Sequence, residues 1–328
     1  VQRLGVIGSG SIVPFHLDAL KAAGFEIAVV GTRSGSERSA TLAERYGAAL
    51  ADSWQDVLAT PGLDALLIAP ETSVTTEILA AALEQTSLPI LVEKPISYSS
   101  NELDALLTLP AEQQARVLVG YNRRHYSSTA AAAGFLKDQG IAAATFHASI
   151  PEASWDASMA DDRKRGILLA NSVHVLDLLQ HLFGSLEVVG LTGVDNETGL
   201  VSRAVSLRTA SGAVGTAIIT FGSPSSYFVD LHTPGKSASL KPIEFFNEFV
   251  GVQVIDPTPE VPLRHYVPTR GAEFALSQDD LDFKPGFLAQ SRELYALAAG
   301  SVLGECRSAS LADAARVLAL AERLVAGV

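Results

Sequence analysis

The sequence predicts an α/β protein in two parts: parallel βαβ units first, then an α+β region with an antiparallel sheet. Two observations carry this. Over the first ~120 residues, short apolar runs alternate with helical patterns, the signature of βαβ units. From Glu187 to about Val254 the chain instead reads as successive strands with few helices between them, the pattern of an antiparallel sheet. The change falls after Asn122, so the expected domains are 1–122 and 123–328.

Taken in order, the strand-like runs of the first part are Leu4–Ile7, Glu26–Val30, Ala65–Ala69, Ile90–Val92 and Val117–Gly120. Helical patterns lie between them at Phe15–Ala23, Glu37–Tyr46, Thr75–Glu84 and Asn101–Leu109. Parallel strands are buried on both faces and read as unbroken apolar stretches, as "ALLIA" and "PILVE" do. A helix over Ser127–Asp138, a strand over Ala143–Ile150 and a loop containing Trp155 lead to a second helix, Asn171–Phe183. Strands follow in "VVGLTGV", "VSRAVSLRT", "AVGTAIITF" and "SYFVDLH", with a hairpin signal at Ala210–Gly212. Amphipathic helices over Phe287–Ala299 and Leu311–Leu324 close the chain.

Composition narrows the function classes. A formal net charge of −12 argues against a nucleic-acid or anionic-membrane binder, because phosphate attraction needs a basic face. The single cysteine, Cys306, allows no intrachain disulfide and no Cys-based zinc site. The seven histidines fall in no ligand spacing, so no metal is expected. No apolar run approaches the roughly 20 residues that span a bilayer, and a strand pattern opens at Leu4 where a signal peptide would stand. The expectation is a cytoplasmic protein acting on small molecules.

"LGVIGSGSIVPFHLDAL" sets Gly8 and Gly10 between a strand and a helix. Gly8 permits the tight turn, and Gly10 lets backbone approach a pyrophosphate on the helix N-terminus, with Ser11 able to add a hydroxyl. A tight strand–helix turn alone would also explain the pair, since the third glycine of the fingerprint is replaced by Val13. After the second strand come Thr32, Arg33, Ser34 and Ser36 rather than an acid. A guanidinium among hydroxyls suits a 2′-phosphate, so NADP is favoured over NAD.

"LVEKPIS" drives an apolar strand into Glu93-Lys94-Pro95. Ligands of open parallel sheets bind beyond the carboxyl ends of the strands, where a lysine can donate to a hydroxyl or carbonyl. The plain alternative is an exposed strand-end lysine. In "NSVHVLDLLQHLFG", Asn171, His174 and Asp177 recur three apart and roughly share a helical face. A lone histidine there is often a core residue; a neighbouring carboxylate able to orient the ring favours an acid–base role.

"GSGSI", "VEKPIS", "GYNRRH" (Gly120–His125) and "NSVHVLDLLQHLFG", in that order, resemble the Gfo/Idh/MocA oxidoreductases over essentially the whole chain. The resemblance implies an N-terminal Rossmann domain and a C-terminal domain with a large open antiparallel sheet, which commonly mediates homodimers or homotetramers. It implies NAD(P)-dependent oxidation of sugars or cyclitols, or reduction of keto-sugars. Lys94 would hydrogen-bond the reacting oxygen and His174 exchange its proton, with Asp177 beside it. Gly8, Gly10, Ser11, Ile12, Thr32, Arg33, Ser34, Pro70, Glu93 and Lys94 would hold the cofactor, and Arg123, Asn171 and Trp155 the substrate. The sequence departs from the family pattern at Ala170, where an Asp is usual. It departs again in "DDRKRGILLA", which replaces a glycine-rich lead-in, and in "PETSVT", which lacks the usual Asn and His.

Arg123, Arg124, Arg163, Lys164 and Arg165 could select an anionic sugar, or "DDRKR" could be a self-neutralising loop. Trp155 and Tyr227 could stack on a sugar or nicotinamide, or pack in a core. Two other function classes stay open at this stage: a non-catalytic dinucleotide-binding regulator, and a lyase or glycosidase with tightly held NAD.

Overall fold

The computed structural model describes residues 1–152, 172–196, 199–301 and 306–326. Contacts gather the chain into two compact units. The first takes in Val1–Tyr126, the stretch ending at Asp177, and Gln278–Arg323; the second holds the remainder.

In the first unit the chain runs β1 (Gln2–Ile7), α1 (Val13–Ala23), β2 (Phe25–Gly31), α2 (Glu37–Tyr46), β3 (Ala49–Ala51), α3 (Trp54–Leu58), β4 (Ala65–Ile68), α4 (Thr72–Gln85), β5 (Ile90–Val92) and β6 (Val117–Val119). The strands are all parallel, in the order β3-β2-β1-β4-β5-β6. The winding reverses between β1 and β4, so their connections part and leave a crevice at the carboxyl ends. Every residue of β4 and β5 is buried, which explains their unbroken apolar sequences.

Local chemistry sets the helix ends. Ser36 Oγ accepts from Ser39 N at 3.3 Å and Ser53 Oγ from Asp56 N at 3.1 Å, satisfying amides that the first turn leaves open. Leu4, Val6, Leu17, Leu20, Val30, Leu67 and Leu91 form the core between sheet and helices. Each such side chain contributes roughly 1.5–3 kcal/mol by leaving water.

The closing helices, Phe287–Ala298 and Leu311–Ala326, bring part of the C-terminal sequence to this unit. Phe287 and Leu288 pack on Ala19 of α1, and Leu294 enters the main core. Gln290 Nε2 donates to Val119 O at 3.1 Å, and Val119 N donates to Ala309 O at 2.8 Å. The unit is therefore assembled from separated stretches, where the sequence suggested one cut at 122/123. The helix expected over Asn101–Leu109 is two short turns, Ser100–Leu103 and Asp104–Leu107, stopped before Pro110.

The second unit is an eight-stranded sheet. Its strands are β7 (Thr145–Glu152), β8 (Leu186–Asn196), β9 (Gly199–Thr209), β10 (Val214–Phe221), β11 (Phe228–Thr233), β12 (Lys236–Leu240), β13 (Phe246–Ile255) and β14 (His265–Arg270). They lie in the order β14-β13-β12-β11-β7-β10-β9-β8. The expected antiparallel pairing needs one correction: β7 and β10 pair in parallel, from Val214↔Thr145 to Phe221↔Glu152. Parallel neighbours need a long crossover, and the chain between these two strands includes the helix Val173–Phe183 and β8–β9. The Ala210–Gly212 signal is the turn joining β9 to β10, closed by Gly212 N donating to Thr209 O at 3.0 Å. The helix Ser127–Gln139 covers β12 and β13, its Phe135 ring 6.3 Å from that of Phe246. No described helix is long and apolar enough to cross a membrane.

Candidate active site

At the end of β1 the chain turns at Gly8, whose amide donates to Gly31 O at 3.1 Å. Its φ is +125°, and a Cβ there would lie 2.2 Å from Ala69 O, so only glycine fits. Gly10 is different: a Cβ would meet nothing within 4 Å. Val13 N donates to Gly10 O at 3.0 Å as α1 begins, and no side chain caps this helix. The positive end of the helix dipole, following a glycine with free space beside it, suits a diphosphate.

That space is a cavity of about 400 Å³, lined by Gly10, Ser11, Ile12, Ala69, Pro70, Glu93, Lys94, Asn122, His174, Lys284 and Phe287. It lies at the carboxyl ends of β1, β4, β5 and β6, and all its residues belong to the first unit. Seven residues picked from sequence thus share one site: Gly10, Ser11, Ile12, Pro70, Glu93, Lys94 and His174. Thr32, Arg33 and Ser34 follow β2 outside it, with Arg33 and Ser34 exposed. Their loop adjoins the glycine turn, since Ser36 Oγ is 3.5 Å from Ser9 Oγ.

Glu93 is tied down on both oxygens. Oε1 is 2.5 Å from His16 Nε2, and Oε2 accepts from Lys94 N at 3.0 Å. Burial alone would raise its pKa, but the His16 hydrogen bond and the charges of His16 and Lys94 bring the carboxyl below its ordinary value. The His16 ring also packs on Phe287, with centroids 4.4 Å apart. The Lys94–Pro95 peptide bond is cis.

His174 partly faces the cavity, its ring edge-on to Tyr121 with centroids 6.1 Å apart. Its Nδ1 is buried and has no hydrogen-bond partner among the described residues. Burial first, then the charges of Lys94, Arg123 and Lys284, lower its pKa well below the usual imidazole value. The ring is thus neutral through neutral pH.

The sequence reading of Asp177 as the partner that orients this ring is corrected. Arg124 takes the carboxylate: Nε lies 2.8 and 3.1 Å from its two oxygens, and Nη2 lies 2.6 Å from Oδ1. Burial pushes Asp177 up to about 6, with Arg124 pulling in the other direction. Arg124 Nη1 also reaches Asp313 at 3.3 Å. Residues three apart on a helix share a face, but a buried guanidinium in reach outcompetes a neutral ring for a buried carboxylate. This places Arg124 in a structural ion pair, and leaves Arg123 as the cation of that pair of arginines that acts on His174.

Trp155, Asn171 and the Arg163–Arg165 cluster lie outside the described residues, as does Ala170. Tyr227 precedes β11 in the second unit. Sequence reading missed His16, Asn122, Lys284 and Phe287. A buried strand-end Glu93 needs a partner, which was the one available signal for His16. Asn122 donates to Pro285 O at 3.0 Å, a pairing across 163 residues that no local pattern encodes.

Residues 2–121 match the family model GFO_IDH_MocA, described as an oxidoreductase family with an NAD-binding Rossmann fold. An inositol 2-dehydrogenase of Corynebacterium glutamicum is 29% identical over 125 residues, 37% of each chain. A myo-inositol 2-dehydrogenase of Thermotoga maritima is 24% identical over 228 residues, 65% of this chain and 67% of that one. Among solved structures, the UDP-N-acetylglucosamine 3-dehydrogenase of Acidithiobacillus ferrooxidans superposes with a TM-score of 0.72 at 21% identity, covering 99% of this chain and 97% of that one. Levoglucosan dehydrogenase in complex with NADH and levoglucosan gives 0.75 at 17% identity, covering 99% and 96%. These likenesses extend the fold over both units.

Proposed function

We propose, from an N-terminal domain that belongs to the Gfo/Idh/MocA oxidoreductase family, that this chain is an NADP(H)-dependent oxidoreductase acting on a CH–OH group of a sugar or cyclitol. The observation that carries the proposal is the shared cavity: Gly10–Ile12 at the start of α1 face the same space as Lys94 and His174. The relatives named for inositol, levoglucosan and a nucleotide sugar support a polyhydroxylated substrate.

Gly10, Ser11 and Ile12 would hold the diphosphate, and the bound nicotinamide supplies the hydride acceptor or donor. In oxidation, Lys94 hydrogen-bonds the reacting hydroxyl oxygen and neutral His174 accepts its proton. The C–H electron pair leaves as hydride, and the carbon becomes a carbonyl. In reduction the proton returns from His174. Glu93, locked by His16, holds the Lys94 backbone. Arg33 and its neighbouring hydroxyls, with no acid before Glu37, favour a 2′-phosphate. Exposed Val252, Val254, Tyr266 and Val267 on β13 and β14 support a homo-oligomer, which sedimentation would test.

Titration with NADPH and NADH, followed by turnover on a panel of polyols and keto-sugars, tests the reading. Tight NADPH binding and a reaction lost in Lys94→Ala are expected. Binding of neither dinucleotide would refute it.

A further inference from the structure

Building on that cofactor reading, we propose that Lys284 is a dinucleotide-binding residue whose ammonium neutralises the diphosphate at the start of α1. It lines the same cavity as Gly10, Ser11 and Ile12. Its Nζ stands 5.1 Å from the ring centre of Phe15 and 5.7 Å from that of Phe287. Phe15 is in the first turn of α1, so the two rings hold a positive charge beside the helix end that already favours an anion.

No carboxylate answers that charge among the described residues. Asp279 pairs with Arg292, Asp280 accepts from Gly286 N at 2.9 Å, and Asp282 accepts from Gln278 Nε2 at 2.7 Å. Glu93, the one acid lining the cavity among the described residues, is engaged by His16 and the Lys94 amide. An ammonium set against two ring faces, its N–H donors taken by no acceptor among the described residues, is a ready partner for a doubly charged diphosphate.

The position favours the diphosphate over a charged substrate. Its ammonium stands against Phe15, in the first turn of α1, which sets Lys284 on the α1 side of the cavity.

The test is calorimetric titration of wild type, Lys284→Gln and Lys284→Arg with NADPH, NADH, ADP-ribose and adenosine 2′-monophosphate. Lys284 is exposed, and an unchanged thermal midpoint checks that the variants fold. Lys284→Gln should bind NADPH, NADH and ADP-ribose about 10-fold more weakly, as the loss of one charge-assisted contact implies. Adenosine 2′-monophosphate, which lacks the diphosphate, should bind as before, and Lys284→Arg should recover most of the loss. Equal affinity of wild type and Lys284→Gln for ADP-ribose would overturn the proposal while leaving the cofactor reading intact. A wild type that binds no dinucleotide would remove both.

Discussion

Asp177→Asn separates a structural carboxylate from a catalytic one. Asp177 is fully buried and Arg124 is 5% exposed, and three close nitrogen–oxygen contacts join them. Asparagine keeps one acceptor oxygen and turns an amide donor toward the guanidinium. Arg124 is then left with Asp313 at 3.3 Å as its remaining carboxylate. Removing one partner of a buried pair typically costs about 3–5 kcal/mol. Because burial already lifts Asp177 to about 6, desolvation cancels part of the attraction, which puts the loss near the lower end, about 3 kcal/mol. Against a total of roughly 5–15 kcal/mol, that is a large displacement of a urea midpoint with an unchanged slope. The double variant Arg124→Met/Asp177→Leu, which leaves no orphan charge, should regain most of it. Dinucleotide affinity and the pH profile of turnover should stay as in wild type. An Asp177→Asn protein within about 0.5 kcal/mol of wild type but with a displaced pH profile would refute this, and return Asp177 to His174.

Arg33→Ala should weaken NADPH several-fold more than NADH; equal weakening, measured by fluorescence titration, would sink the 2′-phosphate assignment. Gly8→Ala should destabilise the fold by several kcal/mol, about 1–3 of it from backbone strain and the rest from the clash with Ala69 O. Gly10→Ala should leave the melting temperature alone and reduce dinucleotide affinity, because its methyl enters free space. Burial lowers His125 to about 4, while an unfolded imidazole titrates near 6.5. Between those values the unfolded chain binds more protons, so stability falls as pH falls, by about 3 kcal/mol for a gap of that size. His125→Gln should flatten that limb in pH-resolved urea melts, and an unchanged slope would count against it.

The parallel half of the fold was legible because burial on both faces writes itself into sequence. "ALLIA" and "PILVE" became β4 and β5 with every strand residue buried. The strands that escaped notice lack that signature. In β3 both Ala49 and Leu50 are exposed, and β14 carries Pro268 at a sheet edge where a missing donor is tolerated. The site was half legible for a related reason. Gly8, Gly10 and Lys94 sit at strand ends, where their types are anomalous for mere structure. His16 and Lys284 look ordinary within their own segments, and only the return of the helix Phe287–Ala298 to α1 brings Lys284 to the cavity. The Asp177 misreading has the same origin, since a three-residue spacing gives a shared face but says nothing of an arginine 53 residues away.

That correction bears on the proposed chemistry. A carboxylate bonded to His174 would raise its basicity; with Asp177 committed to Arg124, the ring answers instead to burial and to Lys94, Arg123 and Lys284, all of which lower it. A weak base looks a poor choice for taking a proton from a hydroxyl. In the proposed reaction, however, the same positive field would stabilise the developing alkoxide at an oxygen bonded by Lys94, and so lower the hydroxyl's own pKa. Proton transfer depends on the difference between the two groups, which a shared field largely preserves. The field changes something else: His174 stays neutral, and ready to accept, well into mildly acidic conditions. Anything that cancels one of those charges, a diphosphate on Lys284 included, would raise His174 toward its ordinary value.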